Sequence, residues 1–200
     1  MKEQPNGHRA HGFSSVSFLD SDEIIKELAL NGDEVFMDAG CGDGHNAIKV
    51  LEDYNHRGCV YAVDIYDASI EDMETYKKEN NVENLINIEA DITEGIPGVE
   101  DDSIDVILMV NVFHGFKASR KLDEAVEELK RIVKSDGKIA IMDYKAWDVP
   151  NGPPTKVRSS PADLEKLFNN HGLKMTYLNE EIGEDIPEGK SHYLIMFEKE

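Results

Sequence analysis

Apolar β-branched runs alternate along the chain with stretches whose apolar positions recur every three or four residues, the pattern of strand–helix units around a parallel sheet. A first helix is expected over residues 22–30, capped by Asp20 with Glu23 at the third position and stopped by Asn31-Gly32. Val35-Phe36-Met37 reads as a short buried strand running into a glycine-rich turn, with a helix over 46–54 behind it. Further strands are expected over 59–63 (ending at Asp64), 86–90, 105–110 and 138–142, with a polar helix over 68–80. The run 105–110 is nearly all apolar and so is covered on both faces. Leu122, Val126, Leu129 and Val133 make one buried helical stripe, after which Ser135-Asp136-Gly137 turns the chain into the strand at 138–142.

The stretch 143–159 holds Pro150, Gly152, Pro153 and Pro154. A loop this long inside a compact domain is either a functional lid or disordered. Ser160, Pro161 and Asp163 then form the start of a capped helix that Gly172 ends. The runs 174–179 and 192–198 fit an antiparallel pair closing the edge of the sheet.

Composition narrows the setting. The 200 residues are 40% hydrophobic and 31% charged, the make-up of a folded chain with room for one domain. That domain is expected over 20–200, preceded by an arm over 1–19 whose His8, His11, Phe13 and Phe18 could close over a site as a lid. No apolar run reaches the ~20 residues of a membrane span, and the start MKEQPNGHRAHG lacks the apolar centre of a secretory signal. Cys41 and Cys59 are too few for a disulfide framework or a structural zinc site, so no metal is expected and a reducing cytoplasm is the expected location. The net charge of −20, with no cluster of Lys and Arg, repels phosphates and argues against a nucleic-acid partner.

The chemistry centres on Val35-Phe36-Met37-Asp38-Ala39-Gly40-Cys41-Gly42-Asp43-Gly44, where a strand ends in an acid and glycines alternate behind it. Glycines there permit positive φ and a close approach of backbone to a ligand. The next acid at a strand end is Asp64, and in an open parallel sheet both turns lie at the carboxyl edge where ligands bind. A dinucleotide fingerprint needs a further glycine where the chain has His45, which argues against a nicotinamide-dependent oxidoreductase. Asp38 suits a cationic ligand better than a pyrophosphate, and Cys41 reads as a small filler of the turn.

The segments MDAGCGDG, YAVDIY, EADITEGIPGVEDDSIDVILMVNVFHGF and LDEAVEELKRIVKSDGKIAIMDY together resemble class I S-adenosylmethionine-dependent methyltransferases, in particular their ubiquinone/menaquinone-biosynthesis-like (type 11/25) branch. The resemblance covers residues 20–200. It implies an α/β fold: a doubly wound, seven-stranded, mostly parallel sheet of Rossmann-like methyltransferase type with an antiparallel C-terminal strand pair. It also implies S-adenosyl-L-methionine as cofactor, with Asp38, Gly40, Cys41 and Gly42 along its methionine part. Asp64 would hold the ribose hydroxyls, Ile65 would pack on the adenine, and Asp91 with the Ile92 backbone would face the adenine edge. Asn111 would reach the methionine end. Asp91 reads equally as a turn cap and Asn111 as a turn residue. The multiple cysteines of arsenite methyltransferases are missing.

Methyl transfer is an in-line displacement that needs alignment and exclusion of water above all, with a base only for a protonated acceptor. His114 is the candidate base, or else orders its loop. Tyr144, Lys145, Trp147, Lys156 and Arg158 gather cations and the one tryptophan after strand five, suited to an anionic or aromatic acceptor or to balancing nearby acids. The expected function is methyl transfer to a small-molecule acceptor by a monomer or homodimer. The alternatives are a non-catalytic sensor or complex partner and a protein methyltransferase.

Overall fold

In a computed structural model, which describes residues 19–54, 57–147 and 152–200, the sheet is built from β1 (Val35–Ala39), β2 (Cys59–Asp64), β3 (Leu85–Glu89), β4 (Ile104–Val110), β5 (Val133–Tyr144), β6 (Leu173–Ile186) and β7 (Gly189–Lys199). Their order is β3-β2-β1-β4-β5-β7-β6. The strands β1 to β5 pair in parallel, and β7 lies antiparallel between β5 and β6. The strand order reverses between β1 and β4, which opens a crevice at the carboxyl ends of the strands.

Helices cover both faces. On one side α1 (Ser21–Glu27), α2 (His45–Lys49) and α3 (Asp67–Glu79) bury Ile24, Ile25, Ala47 and Met73 against Phe36, Val60, Ala62 and Leu108. On the other, α4 (Phe113–Ser119), α5 (Leu122–Ile132) and α6 (Pro161–Asn170) bury Phe113, Val126, Leu129 and Phe168 against Met37, Ile107, Ile139 and Phe197. The expected doubly wound architecture is therefore present, with its antiparallel C-terminal pair. Among the described residues no helix is long and apolar enough to cross a membrane.

Local chemistry sets the element ends, and several differ from the sequence expectations. Asp20 caps α1 by accepting from the Asp22 N–H at 2.9 Å. The helix stops at Glu27, short of Asn31-Gly32, because Ala29 turns left-handed at φ 48°. The helix expected over 46–54 divides into α2 and a wider π-type turn, Val50–Tyr54. The turn expected at 135–137 is a bulge inside β5: the ladder advances from Val133 to Lys138 while β4 advances only from Ile104 to Val106. Gly137 is there because a Cβ would stand 2.9 Å from the Ile104 and Asp105 carbonyl oxygens. Within the stretch 143–159, Asp143 and Tyr144 finish β5 and Thr155–Val157 forms one tight turn, while residues 148–151 lie outside the described residues. Both C-terminal strands run longer than expected. Ser160, Pro161 and Asp163 form the capping box of α6 as read from the sequence.

Of the arm expected over 1–19, only Leu19 is among the described residues, and it is buried. His8, His11, Phe13 and Phe18 lie outside them, as does Pro150.

Candidate functional site

Five consecutive strand ends converge on one edge. Backbone hydrogen bonds carry the sheet past its strands there: Gly40 and Cys41 donate to the Val63 carbonyl, Ala90 to that of Asp64, and Asn111 to that of Met142. This lattice holds the turn after β1 beside the ends of β2, β3, β4 and β5.

Asp38 ends the β1 core and is 1% exposed. One carboxylate oxygen accepts from the Ala47 N–H at 3.1 Å, tying the strand to α2. Burial, helped by the nearby charges of Asp64 and Asp43, pushes its carboxyl up to about 7. Among the described residues, an ionised Asp38 has no cationic partner.

The alternating glycines do different things. At Gly40, with φ +83°, a Cβ would lie 2.4 Å from Val112, and at Gly44, with φ +76°, it would lie 1.8 Å from the Met73 sulfur. Both are glycine for internal packing. At Gly42, with φ +55°, a Cβ would meet nothing within 4 Å, so this is the turn residue whose backbone faces open space. Cys41 is buried beside it, and that burial pushes its thiol up, in keeping with a filler.

Asp64 bridges two loops. Its Oδ2 accepts from the Gly42 N–H at 2.8 Å and its Oδ1 from the Tyr66 N–H at 3.0 Å. Each carboxylate oxygen has a second lone pair, which leaves capacity for two hydroxyl donors. Ile65, next to it, is exposed (37%), an apolar surface presented beside a polar cradle. Ile92 is buried in the short turn Ile92–Glu94 that Asp91 caps, accepting from the Thr93 N–H and hydroxyl. Partial burial opposes ionisation of Asp91, but those two hydrogen bonds and the Lys121 ammonium hold its carboxyl below the usual range. The cap reading of Asp91 is what its contacts display.

Asn111 stands left-handed at φ 58°, a conformation Asn tolerates better than most residues. Its Oδ1 meets His192 Nε2 at 3.1 Å, and His192 Nδ1 meets the Ser191 hydroxyl at 2.6 Å. His192 is fully buried, and burial pulls its ring down to about 4, so it is the neutral brace of Asn111.

His114, at the start of α4, is paired to Asp143. Its N–H donates to Asp143 Oδ2 at 2.9 Å, and its ring Nδ1 lies 3.0 Å from Oδ1. Burial works against ionised Asp143, but the His114 ring and the N–H groups of Tyr144 and His114 keep its carboxyl below the usual range. In the tautomer that donates Nδ1–H to the carboxylate, the remaining ring lone pair sits on Nε2.

Residues named for the acceptor divide. Tyr144 is core: its ring packs 4.1 Å from that of His192, and burial raises its phenol to about 12. Arg158 is buried and braces backbone, donating to the carbonyls of Pro153 and Trp147 and, at 3.4 Å, of Lys145. Lys156 is exposed on the turn Thr155–Val157. Lys145 is buried with its ammonium 4.3 Å from the centre of the half-exposed Trp147 ring. Among the described residues no group of His, Cys, Asp and Glu is arranged to hold a metal ion.

Asp143, His192 and Val112 are absent from the sequence reading. For Asp143 a signal existed, because it closes an apolar run as Asp38 and Asp64 do. His192 shows only as a histidine inside a strand that is otherwise core.

The geometry tests well against an adenosyl sulfonium ligand. A buried carboxylate with no cationic partner among the described residues, an open glycine, a two-oxygen acceptor and an exposed isoleucine together fit a cation, a chain, a ribose and an adenine.

Comparison with known proteins points the same way. A family profile described as "Methyltransferase domain" matches residues 30–199. A Saccharomyces cerevisiae protein named tRNA(Thr) (cytosine(32)-N(3))-methyltransferase is 29% identical over 155 residues, covering 72% of this chain and 23% of that protein. Bacillus subtilis YcgJ, an uncharacterized methyltransferase, is 30% identical over 127 residues, 64% of this chain and 47% of its own. The chain thus spans less than half the length of either curated relative. Among solved structures, a SAM-dependent methyltransferase from Aquifex aeolicus superposes with a TM-score of 0.78 over 98% of this chain and 93% of its own at 22% identity, a likeness of fold.

Proposed function

The chain belongs to the methyltransferase-domain family, whose cofactor is S-adenosyl-L-methionine, and from that premise we propose that it methylates a small-molecule acceptor. When bound, the cofactor supplies an electrophilic methyl carbon. Asp38 would face its ammonium group, the Gly40–Gly42 backbone its methionine chain, Asp64 the ribose hydroxyls and Ile65 the adenine. Asp91 and Ile92 would border the adenine edge, and Asn111 the methionine end.

The observation that carries a catalytic reading over mere binding is the His114–Asp143 pair. Asp143 would hold the ring so that Nε2 could accept the proton leaving an acceptor hydroxyl or amine, raising its nucleophilicity toward the methyl carbon that the cofactor supplies. Asp143 stays ionised and steadies the imidazolium, as a buried carboxylate does behind a catalytic histidine. Nothing in the pair acts as nucleophile, in keeping with direct displacement.

A second reading has its own support, because two relatives are named tRNA methyltransferases. The net charge of −20 weighs against it, since phosphate binding draws on Lys and Arg that release counterions. A cytoplasmic setting suits the two free thiols. The test is calorimetry with the cofactor, followed by assay of S-adenosylhomocysteine on a metabolite extract and, separately, on total tRNA. Cofactor binding with turnover on the metabolite fraction is expected. Methylated tRNA would overturn the small-molecule acceptor, and binding without turnover on either would leave a sensor.

A further inference from the structure

We infer that Lys145 and Trp147 form a recognition subsite for a planar carboxylate, so that the acceptor is an aromatic or similarly flat organic acid. The inference rests on the methyltransferase reading for the word acceptor, but not for the subsite itself.

The chain has 41 acids against 21 lysines and arginines, and many of its partly buried cations meet oxygen. Lys49 meets Asp22 and Asp53, Lys134 meets Asp105, and Arg131 meets Glu128 and Asp101. Lys117 and Lys138 donate to backbone carbonyls. Lys145 departs from this. The residue is only 4% exposed, yet among the described residues its ammonium faces the Trp147 ring and no carboxylate. The stem of Lys145 is buried while its ammonium keeps its N–H donors without a hydrogen-bond partner among the described residues. An anion brought by a ligand would supply that partner.

The site is built, not merely available. Lys145 N–H donates to the Ser191 carbonyl at 3.0 Å, extending the β5–β7 ladder by one residue. Arg158 Nη1 holds the carbonyls of both Lys145 and Trp147 from behind. The backbone that carries the two side chains is thus fixed before a ligand arrives, which lowers the ordering cost of binding. The outer part of the Trp147 ring runs past Gly189, where a Cβ would come within 3.8 Å, leaving the ring 37% exposed as a flat platform.

Position ties the subsite to the chemistry. Two residues apart along the extended chain, Asp143 and Lys145 project to the same side, about 6–7 Å from one another along the strand. Asp143 carries His114, so an acid anchored at Lys145 presents its far substituent toward the proposed base. In so negative a protein the overall field disfavours anions, so a cation held beside an aromatic platform is a selective device.

Trp147 is the sole tryptophan, so intrinsic fluorescence reports on this subsite directly. The full chain is titrated with benzoate and, in parallel, with isosteric neutral benzamide. A saturable change with benzoate, at least about 10-fold weaker with benzamide, is expected. The benzoate response should weaken by a similar factor in K145M and in K145Q, with circular dichroism showing both variants folded. Equal response to the two probes, or an undiminished benzoate response in either folded variant, overturns the subsite. A cofactor titration on the unsubstituted chain separates the two ideas: benzoate binding without cofactor binding sinks the methyltransferase reading alone, and the reverse sinks the subsite alone.

Discussion

Replacing Asp38 with asparagine removes one buried charge, keeps the shape, and leaves an amide oxygen to accept from the Ala47 N–H. In the native fold burial pushes this carboxyl from its ordinary 3.8 up to about 7. Between those values the folded protein holds a proton that the unfolded chain has released. Stability is therefore full below the lower value and falls as pH rises through the upper one. The span is roughly three units at ~1.4 kcal/mol each, so ionising Asp38 costs the fold about 4 kcal/mol above neutrality. D38N escapes that cost. Burial of the amide takes back part of the gain, and a net of about 2–4 kcal/mol at about pH 8 remains. Urea unfolding of both proteins across about pH 5 to 8 tests this. The stability difference should grow by close to 1.4 kcal/mol per unit up to about pH 7 and then level off. Calorimetry on the same variant should show at least about a tenfold loss of S-adenosylmethionine affinity. A gap that does not change with pH, or a variant no more stable than the parent at about pH 8, refutes the argument. A carboxylate that weakens the fold while strengthening the ligand complex is what a binding site does with a buried charge.

The same group predicts proton release: at about pH 6 cofactor binding should expel up to one proton per site and at about pH 8 close to none, read from calorimetry in buffers of different ionisation enthalpy. H114Q should lower kcat by ~10²–10⁴-fold on a hydroxyl or amine acceptor, and D143N should lower kcat on the same acceptor with little change in KM, whereas an unchanged kcat in D143N removes the pair from the mechanism. The glycines separate packing from binding. G44A, driven into the Met73 sulfur, should lose about 2–4 kcal/mol of stability, while G42A should lose about 1 kcal/mol and show its main effect as weaker cofactor binding by calorimetry. D64A should weaken cofactor binding and, by orphaning the N–H groups of Gly42 and Tyr66, cost about 1–3 kcal/mol in urea unfolding.

The strands of the sheet's centre were legible because parallel strands buried on both faces must be apolar throughout, as 105–110 is. The acids Asp38 and Asp64 were legible because each ends such a run. The helix α4 was not. It is short, it contains Gly115, and its one deep anchor is Phe113. The bulge at 134–137 was misread as a turn because Gly137 is needed for close approach to β4, and glycine carries the same letter for both reasons. Nor could spacing reveal which partners meet: Asp143 is 29 residues from His114, and His192 is 81 from Asn111. The acceptor residues were read as one set by charge, and the contacts divide them. The Arg158 guanidinium turns inward onto carbonyls, while the Lys145 ammonium does not.

The placement of β7 bears on how the site comes into being. The strand nearest the end of the sequence lies in the interior of the sheet, and through His192 it supports Asn111 on β4's far side of β5. Its contacts with β5 join segments some fifty residues apart, from Ile139↔Phe197 to Tyr144↔His192. Such non-local pairing is slow to form, because loop closure precedes any reward from contact. During synthesis the cofactor turn can take shape early, as β1, β2 and β4 emerge. The Asn111 turn and the β5 edge that carries Lys145 stay unbraced until residues 189–199 slot in. The edge proposed for the acceptor thus depends on a long-range pairing that the glycine turn after β1 does not need.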